Sequence, residues 1–366
     1  MKWETVKLVD ITSPKQWKTI STDMLTADGY HVYGANGIIG KYKEYTHEIP
    51  TVLITCRGAT CGNIHISQPF SYINGNAMAL DKLSSNVSLR YLYYFLLSYD
   101  FSNVISGSAQ PQITIQGLQK VEIPLPPLHI QEQIADTLDK ADTLRRKDKE
   151  LLQKYDQLAQ AIFYDMFGDP VRNERGWDQK QLSDICTKLT VGFVGQCEKY
   201  YTDESGIILL RTGNISEGSL VLEKIKYVTQ EFHQKNKKSQ VGPGDILIAR
   251  HGDNGKACLI DEKVADANVL NAVILRPNSA KFSSDLLVDM LNNSSFRDYM
   301  SSFTGGATQK VINTKALAKL IVVVPPIKLQ NEFSRRKLKL SKVVGKSRQI
   351  LETDNSLFSK LISNFF

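Results

Sequence analysis

The sequence predicts an α+β protein of two similar halves, each a mixed α/β domain followed by a long helix. Three observations carry this prediction. Residues 128–167 and 327–366 are forty-residue stretches with helical periodicity, and each follows a Pro-Pro pair. Short motifs that precede the first stretch recur, in the same order, before the second. Two helices of equal length can pair as an antiparallel coiled coil, which would relate the halves by a pseudo-two-fold axis.

The first long helix has clear start and stop signals. Its forty residues contain neither Gly nor Pro, and apolar residues recur every three or four positions. Pro126 and Pro127 disfavour helix upstream, while Gly168 and Pro170 provide a C-terminal cap and a stop. At 1.5 Å per residue such a helix is about 60 Å long. It is expected to be a spacer or a dimerisation arm.

Polar residues interrupt the apolar seam of this helix at residues 145–149, Arg-Arg-Lys-Asp-Lys. Three interpretations stay open. The segment could specify the register of the helix pair or simply be solvated, or it could approach DNA phosphate. Register or solvation is favoured over phosphate contact.

The repeat consists of five pairs of segments whose order never changes. Chance similarity explains any single pair, but it poorly explains five pairs in one order. The second copy is longer than the first. We therefore predict domains at residues 1–127 and 169–326 and long helices at 128–168 and 327–366. The paired segments are 3–11 with 177–185, 52–58 with 246–252, 76–80 with 271–275, 107–114 with 306–313, and 121–127 with 320–326.

Composition narrows the function classes. The net charge of +7 suits an anionic partner such as nucleic acid, although charge alone is weak evidence. The five cysteines include no C-x-x-C pair, so neither a disulfide framework nor a zinc site is indicated, and we expect small core residues. No stretch approaches the roughly 20 apolar residues of a membrane span, so we expect no membrane partner and a cytoplasmic protein.

A search for catalytic motifs gives no candidate. The Pro-Pro pairs resemble part of an amino-methyltransferase motif, but the residues beside them, such as Leu125 and Val324, lack the required amide and the stacking aromatic ring. The turn at residues 252–256 lacks the spacing and the Ser or Thr of a P-loop. The six histidines show no metal spacing. We expect no catalytic residue, no metal and no cofactor.

Glycine-rich turns carry the remaining hydrogen-bonding side chains. Arg suits guanine, Asn and Gln suit adenine, and Lys suits phosphate, while Gly lets the backbone approach a duplex. Any one of these turns could simply connect strands, but as a set they favour DNA contact. The candidate DNA-binding residues are Tyr33, Asn36, Lys41, Thr55, Arg57, Gln110, Gln112, Arg211, Thr212, Asn214, Arg250, His251, Lys256, Thr308, Gln309 and Lys310.

These motifs together resemble the specificity subunit of type I restriction–modification systems along nearly the whole chain. The resemblance rests on several segments that occur in order. They are the Trp-x-x-x-x-Leu-x-Asp-Ile openings at 3–11 and 177–185, Tyr33–Gly40, Leu210–Ile215, Gly244–Arg250, the Gly-Ala-Thr-Gln run ending at 309, Gln131-Glu-Gln after the Pro-Pro pair, and Phe-Gly-Asp-Pro at 167–170.

The resemblance implies two target recognition domains that read a bipartite, asymmetric sequence in double-stranded DNA. It also implies that the two long helices act as a molecular ruler. Modification subunits, in two copies, and restriction or translocase subunits would dock on this chain and carry the methyl-transfer, ATP and nuclease chemistry.

Two alternatives come from other classes. One is the DNA-recognition half of a split or stand-alone methyltransferase or nuclease, against which the missing catalytic motifs count. The other is a coiled-coil interaction protein that binds no nucleic acid, against which the basic turn residues count.

Overall fold

The computed structural model describes residues 3–107, 110–251, 255–303 and 312–366. Two compact units divide the chain, and we call them unit 1 (Met1–Leu151 with Ser347–Phe366) and unit 2 (Leu152–Lys346). Each long helix belongs partly to one unit and partly to the other. No helix within the described ranges is long and apolar enough to span a bilayer.

Unit 1 contains short strands and helices and the first part of a long helix. They are β1 Thr5–Lys7, α1 Leu8–Ile11, β2 Ser13–Gln16, β3 Tyr30–Gly34, β4 Gly37–Tyr42, β5 Val52–Thr55, β6 Ile64–Ile66, β7 Tyr72–Ile73, β8 Ala77–Asp81, α2 Leu89–Ser98, β9 Ile105–Ser106, β10 Gln112–Ile113, α3 Ile115–Leu118, β11 Glu122–Pro124 and the start of α4 Leu128–Phe167.

The main sheet of unit 1 is antiparallel, in the order β2-β8-β5-β6. Strand β5 is buried along its whole length, as a continuous apolar run predicts for a central strand. A second sheet has the order β4-β3-β7, with β3 antiparallel to β4 and parallel to β7. Strand β1 pairs with β11 and brings the start of the domain beside the segment that enters α4. The buried face of helix α2, which includes Tyr91, Leu92 and Phe95, packs in one hydrophobic core with residues of the main sheet such as Ile54 and Met78.

Unit 2 has a corresponding set of elements, followed by the start of the second long helix. They are β12 Asp178–Gln181, β13 Cys186–Val191, β14 Tyr201–Thr202, β15 Ile207–Arg211, β16 Lys226–Val228, α5 Gln230–Lys235, β17 Ile246–Ala249, β18 Ala257–Leu259, β19 Asn268–Leu270, β20 Ala272–Pro277, α6 Ser284–Asn292, α7 Ser294–Ser302, α8 Thr314–Ala318, β21 Ile321–Val324 and α9 Ile327–Phe365.

The sheets of unit 2 repeat the strand order of unit 1. The antiparallel sheet β13-β20-β17-β18 matches β2-β8-β5-β6. Strand β15 is antiparallel to β16 and parallel to β19, as β3 is to β4 and β7. The pair β12-β21 matches β1-β11. The internal repeat that the sequence predicts is therefore confirmed in these three shared sheets. Strand β14 and helix α5 are part of the extra length of the second copy, and the β9-β10 pair of unit 1 has no counterpart among the described residues of unit 2.

The two long helices pack against each other within each unit. In unit 1, Ile134 and Phe365 line one groove, while the guanidinium of Arg145 lies 4.0 Å from the ring centroid of Phe358. In unit 2, the Phe333 ring packs 5.2 Å from Phe167, centroid to centroid. The earlier residue of α4, Ile134, lies near the later residue of α9, Phe365, whereas the later Arg145 contacts the earlier Phe358. The two helices of unit 1 therefore run antiparallel. The predicted antiparallel helix pair is thus confirmed.

Arg145, the first residue of the polar break in the seam, packs between the two long helices. Its guanidinium donates to Asp142, 2.6 Å away, besides covering the Phe358 ring, and Arg146 also pairs with Asp142. Arg145 therefore stabilises the packing of the helix pair, as the register interpretation predicts. Lys147 and Lys149 are exposed.

A buried glutamine fastens the start of each long helix to its own domain. The Gln131 amide accepts from the Ser88 N–H at 2.9 Å and donates to the carbonyls of Asn86 (2.9 Å) and Pro126 (2.8 Å). In unit 2, Gln330 accepts from the Ser283 N–H at 2.8 Å and donates to the carbonyls of Lys281 (3.3 Å) and Pro325 (2.7 Å). We call this arrangement the glutamine clamp. It explains physically why a glutamine follows each Pro-Pro pair.

Replacing Gln131 by Leu is expected to lower the free energy of unfolding by about 2–3 kcal/mol. Leucine has a similar size but leaves the Ser88 N–H and two carbonyls without this partner in a buried place. Urea unfolding at constant m-value measures the change. Gln133→Leu is the control, because Gln133 is exposed in the same turn and should change stability by less than about 0.5 kcal/mol. Equal effects of the two substitutions would contradict the clamp.

Candidate DNA-reading loops

Three predicted turns of unit 1 lie side by side, and we call them reading cluster 1. They are the turn 35–36 between β3 and β4, the loop 56–63 between β5 and β6, and the segment 110–112. The Thr60 hydroxyl donates to the Asn36 side-chain oxygen at 2.7 Å, which joins the first turn to the second. The Gly58 N–H donates to the Pro111 carbonyl at 3.2 Å, which joins the second to the third.

Cluster 1 presents a set of exposed polar side chains, namely Asn36, Arg57, Gln110 and Gln112. Arg57 and Gln112 form an isolated antiparallel β-bridge, so their Cα atoms are neighbours across the two segments. The Arg57 side chain makes no hydrogen bond or ion pair with the described residues. A free guanidinium beside amide groups can form the bidentate contacts by which proteins distinguish guanine and adenine.

Three other candidates of unit 1 do not belong to this exposed set. Tyr33 is buried, and its hydroxyl accepts from the Gln68 N–H at 3.1 Å. Thr55 is fully buried, and its hydroxyl donates to the Ala35 carbonyl at 2.5 Å. Lys41 pairs with His31 along β4, five residues beyond Asn36 and so about 16 Å away at 3.3 Å per residue. We correct the prediction for Tyr33 and Thr55, which support the turn from inside the fold.

The corresponding turns of unit 2 also converge, and we call them reading cluster 2. It contains residues 211–214 after β15 and residues 250–251 and 255–256 between β17 and β18. The Thr212 hydroxyl donates to the Asn271 carbonyl at 3.2 Å. Asn271 precedes Ala272, which pairs with Ala249 at the end of β17. The two turns therefore meet at the same edge of the fold, where the Lys256 carbonyl accepts from the Ala249 N–H at 2.9 Å.

Several polar groups of cluster 2 are used inside the fold. Asn214 is buried; its side chain accepts from the Arg211 N–H at 3.0 Å and donates to the Val221 carbonyl at 2.9 Å. Arg211 donates to the Lys224 carbonyl at 2.9 Å. The prediction of a base contact is therefore wrong for Asn214, because its amide groups are already paired. Thr308, Gln309 and Lys310 lie outside the described residues.

Strand register places Arg57 opposite His251 in the repeat. Thr55 pairs with Ala77, and Ala249 pairs with Ala272. Because the segments at 76–80 and 271–275 are repeat equivalents, Thr55 corresponds to Ala249. Arg57 thus corresponds to the exposed His251, and Arg250 to a buried cysteine, Cys56.

Arg250 accordingly has a different environment from Arg57. Its Nε donates to the Ile312 carbonyl at 3.2 Å, and its side chain is half-buried. This bond holds the segment that enters α8. We therefore assign Arg250 a supporting role and His251 the exposed position in cluster 2.

His65 supports cluster 1 and was not predicted from the sequence. Burial lowers the pKa of His65, while a hydrogen bond to the Ala35 carbonyl opposes that shift. The same carbonyl accepts from Thr55, so the buried Thr55 and the half-buried His65 hold the turn that carries Asn36. A lone histidine between two isoleucines in a strand gives no sequence signal of such a role.

The five cysteines are free thiols. Cys56, Cys197 and Cys258 are buried, and the other two are half-buried. Burial raises the pKa of Cys186 and of Cys258 to about 12, so these thiols are protonated at neutral pH. Among the described residues, no group of His, Cys, Asp and Glu side chains is arranged to hold a metal ion.

The family model of the type I restriction modification DNA specificity domain matches residues 1–154 and 174–336. The chain belongs to this family. The type I restriction enzyme MjaVIII specificity subunit of Methanocaldococcus jannaschii is 21% identical over 393 residues, covering 99% of this chain and 91% of that protein. The type I restriction enzyme EcoBI specificity subunit of Escherichia coli is 21% identical over 335 residues, covering 84% of this chain and 67% of that protein.

A solved structure has the same fold along the whole chain. The S subunit of a type I restriction–modification system from M. genitalium aligns with a TM-score of 0.64 at 15% identity, covering 100% of this chain and 96% of that one. This member of the specificity family is therefore a type I specificity subunit with two matched DNA specificity domains, which is a non-catalytic component of such systems.

Proposed function

We propose that this subunit reads a bipartite, asymmetric DNA sequence, one part with each reading cluster. The observation that carries the proposal is the repeated placement of polar loops. Clusters 1 and 2 follow equivalent strands, β5 and β17. Cluster 1 exposes Asn36, Arg57, Gln110 and Gln112, and cluster 2 exposes His251 beside the half-buried Arg211, Thr212 and Lys256, all of which are side chains that suit base edges or phosphate. Because the exposed residues differ between the clusters, with Arg57 in one and His251 in the other, the two parts of the target would differ. The target recognition domains would be residues 1–127 and 169–326.

The proposal includes a scaffold role within a larger complex. The subunit would hold modification subunits, in two copies, and restriction or translocase subunits, which would supply the methyl-transfer and cleavage chemistry. The cytoplasmic location expected from the sequence stays a prediction.

Selection from a random DNA library by the assembled complex tests the two-part target. We expect two enriched blocks of different sequence, separated by a gap of fixed length and free composition. Enrichment of a single block, or of no sequence, would overturn the proposal.

Arg57→Ala is expected to weaken specific DNA binding by about 1–3 kcal/mol, or roughly 5- to 150-fold in Kd, if Arg57 contacts guanine. The sequence preference should relax at one position of one block only. Fluorescence anisotropy with the selected target and with single-base variants measures both effects. His251→Ala should relax one position of the other block.

Arg172→Ala is the matched control, because Arg172 is an exposed arginine outside both clusters. It should leave the sequence preference unchanged. If Arg57→Ala has no larger effect than Arg172→Ala, then cluster 1 does not read bases through this residue.

A further inference from the structure

The first turns of the two long helices carry opposite charges. Residues 128–139 of α4 have a formal charge of −3, from Glu132, Asp136 and Asp139. The equivalent residues 327–338 of α9 have a formal charge of +3. The repeat therefore preserves the position of the helix but reverses its charge.

In unit 1 these acidic residues bind a basic domain helix. Arg90 of α2 donates to the Asp136 carboxylate at 2.7 Å and also pairs with Asp139. The Tyr94 hydroxyl donates to the second oxygen of Asp139 at 2.6 Å. Helix α2 is thus fastened to α4 by a charged contact beside the glutamine clamp.

In unit 2 the polarity is reversed. Lys337 of α9 donates to the Asp289 carboxylate of α6 at 2.6 Å. Asp285 lies on the same acidic helix, one turn before Asp289. The domain helix is now acidic and the long helix is basic.

The glutamine clamps show which positions of the two units are equivalent, and they place the Lys337–Asp289 pair opposite Leu138 and Tyr94, one turn along the domain helix from the position of Arg90. Gln131 binds the Ser88 N–H and Gln330 binds the Ser283 N–H, so Ser88 corresponds to Ser283. Counting from these serines, Arg90 corresponds to Asp285, and counting from the glutamines, Asp136 corresponds to Arg335.

The clamp alone cannot distinguish the two helices, because both copies use the same glutamine and the same backbone groups. A domain that took the long helix of the other repeat could satisfy the same hydrogen bonds. In that exchanged pairing, however, Arg90 would face Arg335, and Asp289 would face the acidic start of α4. Like charges at close range in a partly buried contact oppose such pairing.

We propose that this charge reversal is a pairing code that keeps each domain on its own long helix and prevents exchange of helices between two copies of the chain. Exchange would link two chains into a dimer, since each long helix belongs to both units. The proposal does not depend on DNA binding.

Charge-reversal variants of the full chain test the code. The triple variant Arg90→Asp, Asp136→Arg and Asp139→Asn gives unit 1 the polarity of unit 2, and the amide introduced at position 139 keeps an acceptor for Tyr94. The quadruple variant Asp285→Arg, Asp289→Lys, Arg335→Asp and Lys337→Asp gives unit 2 the polarity of unit 1, both at the positions equivalent to Arg90 and Asp136 and at its own ion pair. Either variant erases the difference between the repeats. The combination of both restores the difference with inverted polarity.

Exchange is measured by refolding donor-labelled and acceptor-labelled copies together from urea. Energy transfer in samples mixed after separate refolding is subtracted, which removes ordinary association. We expect each single-unit variant to give an exchange signal at least fivefold above the wild type, and the combined variant to return to the wild-type signal. Far-UV circular dichroism checks that each protein is folded.

The combined variant separates the code from general destabilisation. If charge reversal only weakened each unit, combining the variants would increase exchange further instead of restoring the wild-type signal. An equal signal in all four proteins, or no restoration in the combined variant, would overturn the proposal. If one single-unit variant does not fold, the other still decides, because its exchange signal either rises or equals that of the wild type.

Discussion

Phe333→Ala is expected to lower the free energy of unfolding of unit 2 by about 3–5 kcal/mol, because it removes a large ring from a filled core. Phe333 is 2% exposed, and its ring lies 5.2 Å from that of Phe167 and 6.0 Å from that of Phe163, between centroids. Both phenylalanines belong to the last two turns of α4. The substitution therefore weakens the helix pair of unit 2. Chemical denaturation followed by far-UV circular dichroism measures the effect.

Leu338→Ala is the matched control for Phe333→Ala. Leu338 lies on the same helix but is 57% exposed, so its truncation should change stability by less than about 0.5 kcal/mol. The packing interpretation fails if the two variants unfold at the same denaturant concentration.

The long helices and the repeat could be predicted from the sequence because their signals are local or self-similar. Helix α4 begins at Leu128, directly after the Pro-Pro pair, and ends at Phe167, directly before Gly168. Proline geometry and apolar periodicity require no knowledge of the partner element. The strand order of each domain could not be predicted in this way, since neighbouring strands such as β5 and β8 are distant in sequence.

The positions of the glycine-rich turns were predicted more successfully than the exposure of their side chains. A glycine-rich turn after an apolar strand indicates a loop, but it does not indicate which polar group faces solvent. Thr55 and Asn214 look as available as Arg57 in the sequence, yet both bind backbone groups within the fold. The equivalence of Arg57 and His251 follows from the equal-length segments 52–58 and 246–252, and strand register agrees with it.

Electrostatic pairing was the least visible feature in the sequence. Arg90 and Asp136 are separated by 46 positions. Their contact follows from the packing of α2 on α4, which periodicity alone does not specify. The charge difference between the two helix starts can be counted in the sequence, but its meaning depends on knowing which helix each domain contacts.

Lengthening both long helices together is expected to change the gap between the two parts of the DNA target. The sequence alone suggests inserting four residues near Lys147. Because α4 and α9 each belong to both units, lengthening one of them would strain the other. The insertions therefore belong after Leu151 and after Lys346, where the division between the units falls on each helix.

Four residues in each helix add about 6 Å, which corresponds to between one and two base pairs at about 3.4 Å per pair. Four residues also complete slightly more than one turn, so the apolar seams stay nearly in phase and the protein should fold. Two residues in each helix would turn the seams away from each other and should abolish specific binding. Selection from a random-spacer library by the assembled complex gives the measurement: both sequence blocks should persist while the preferred gap grows by one or two base pairs. A folded four-residue variant with an unchanged gap would show that the helices do not set the spacing, whereas reading by the two clusters would still stand.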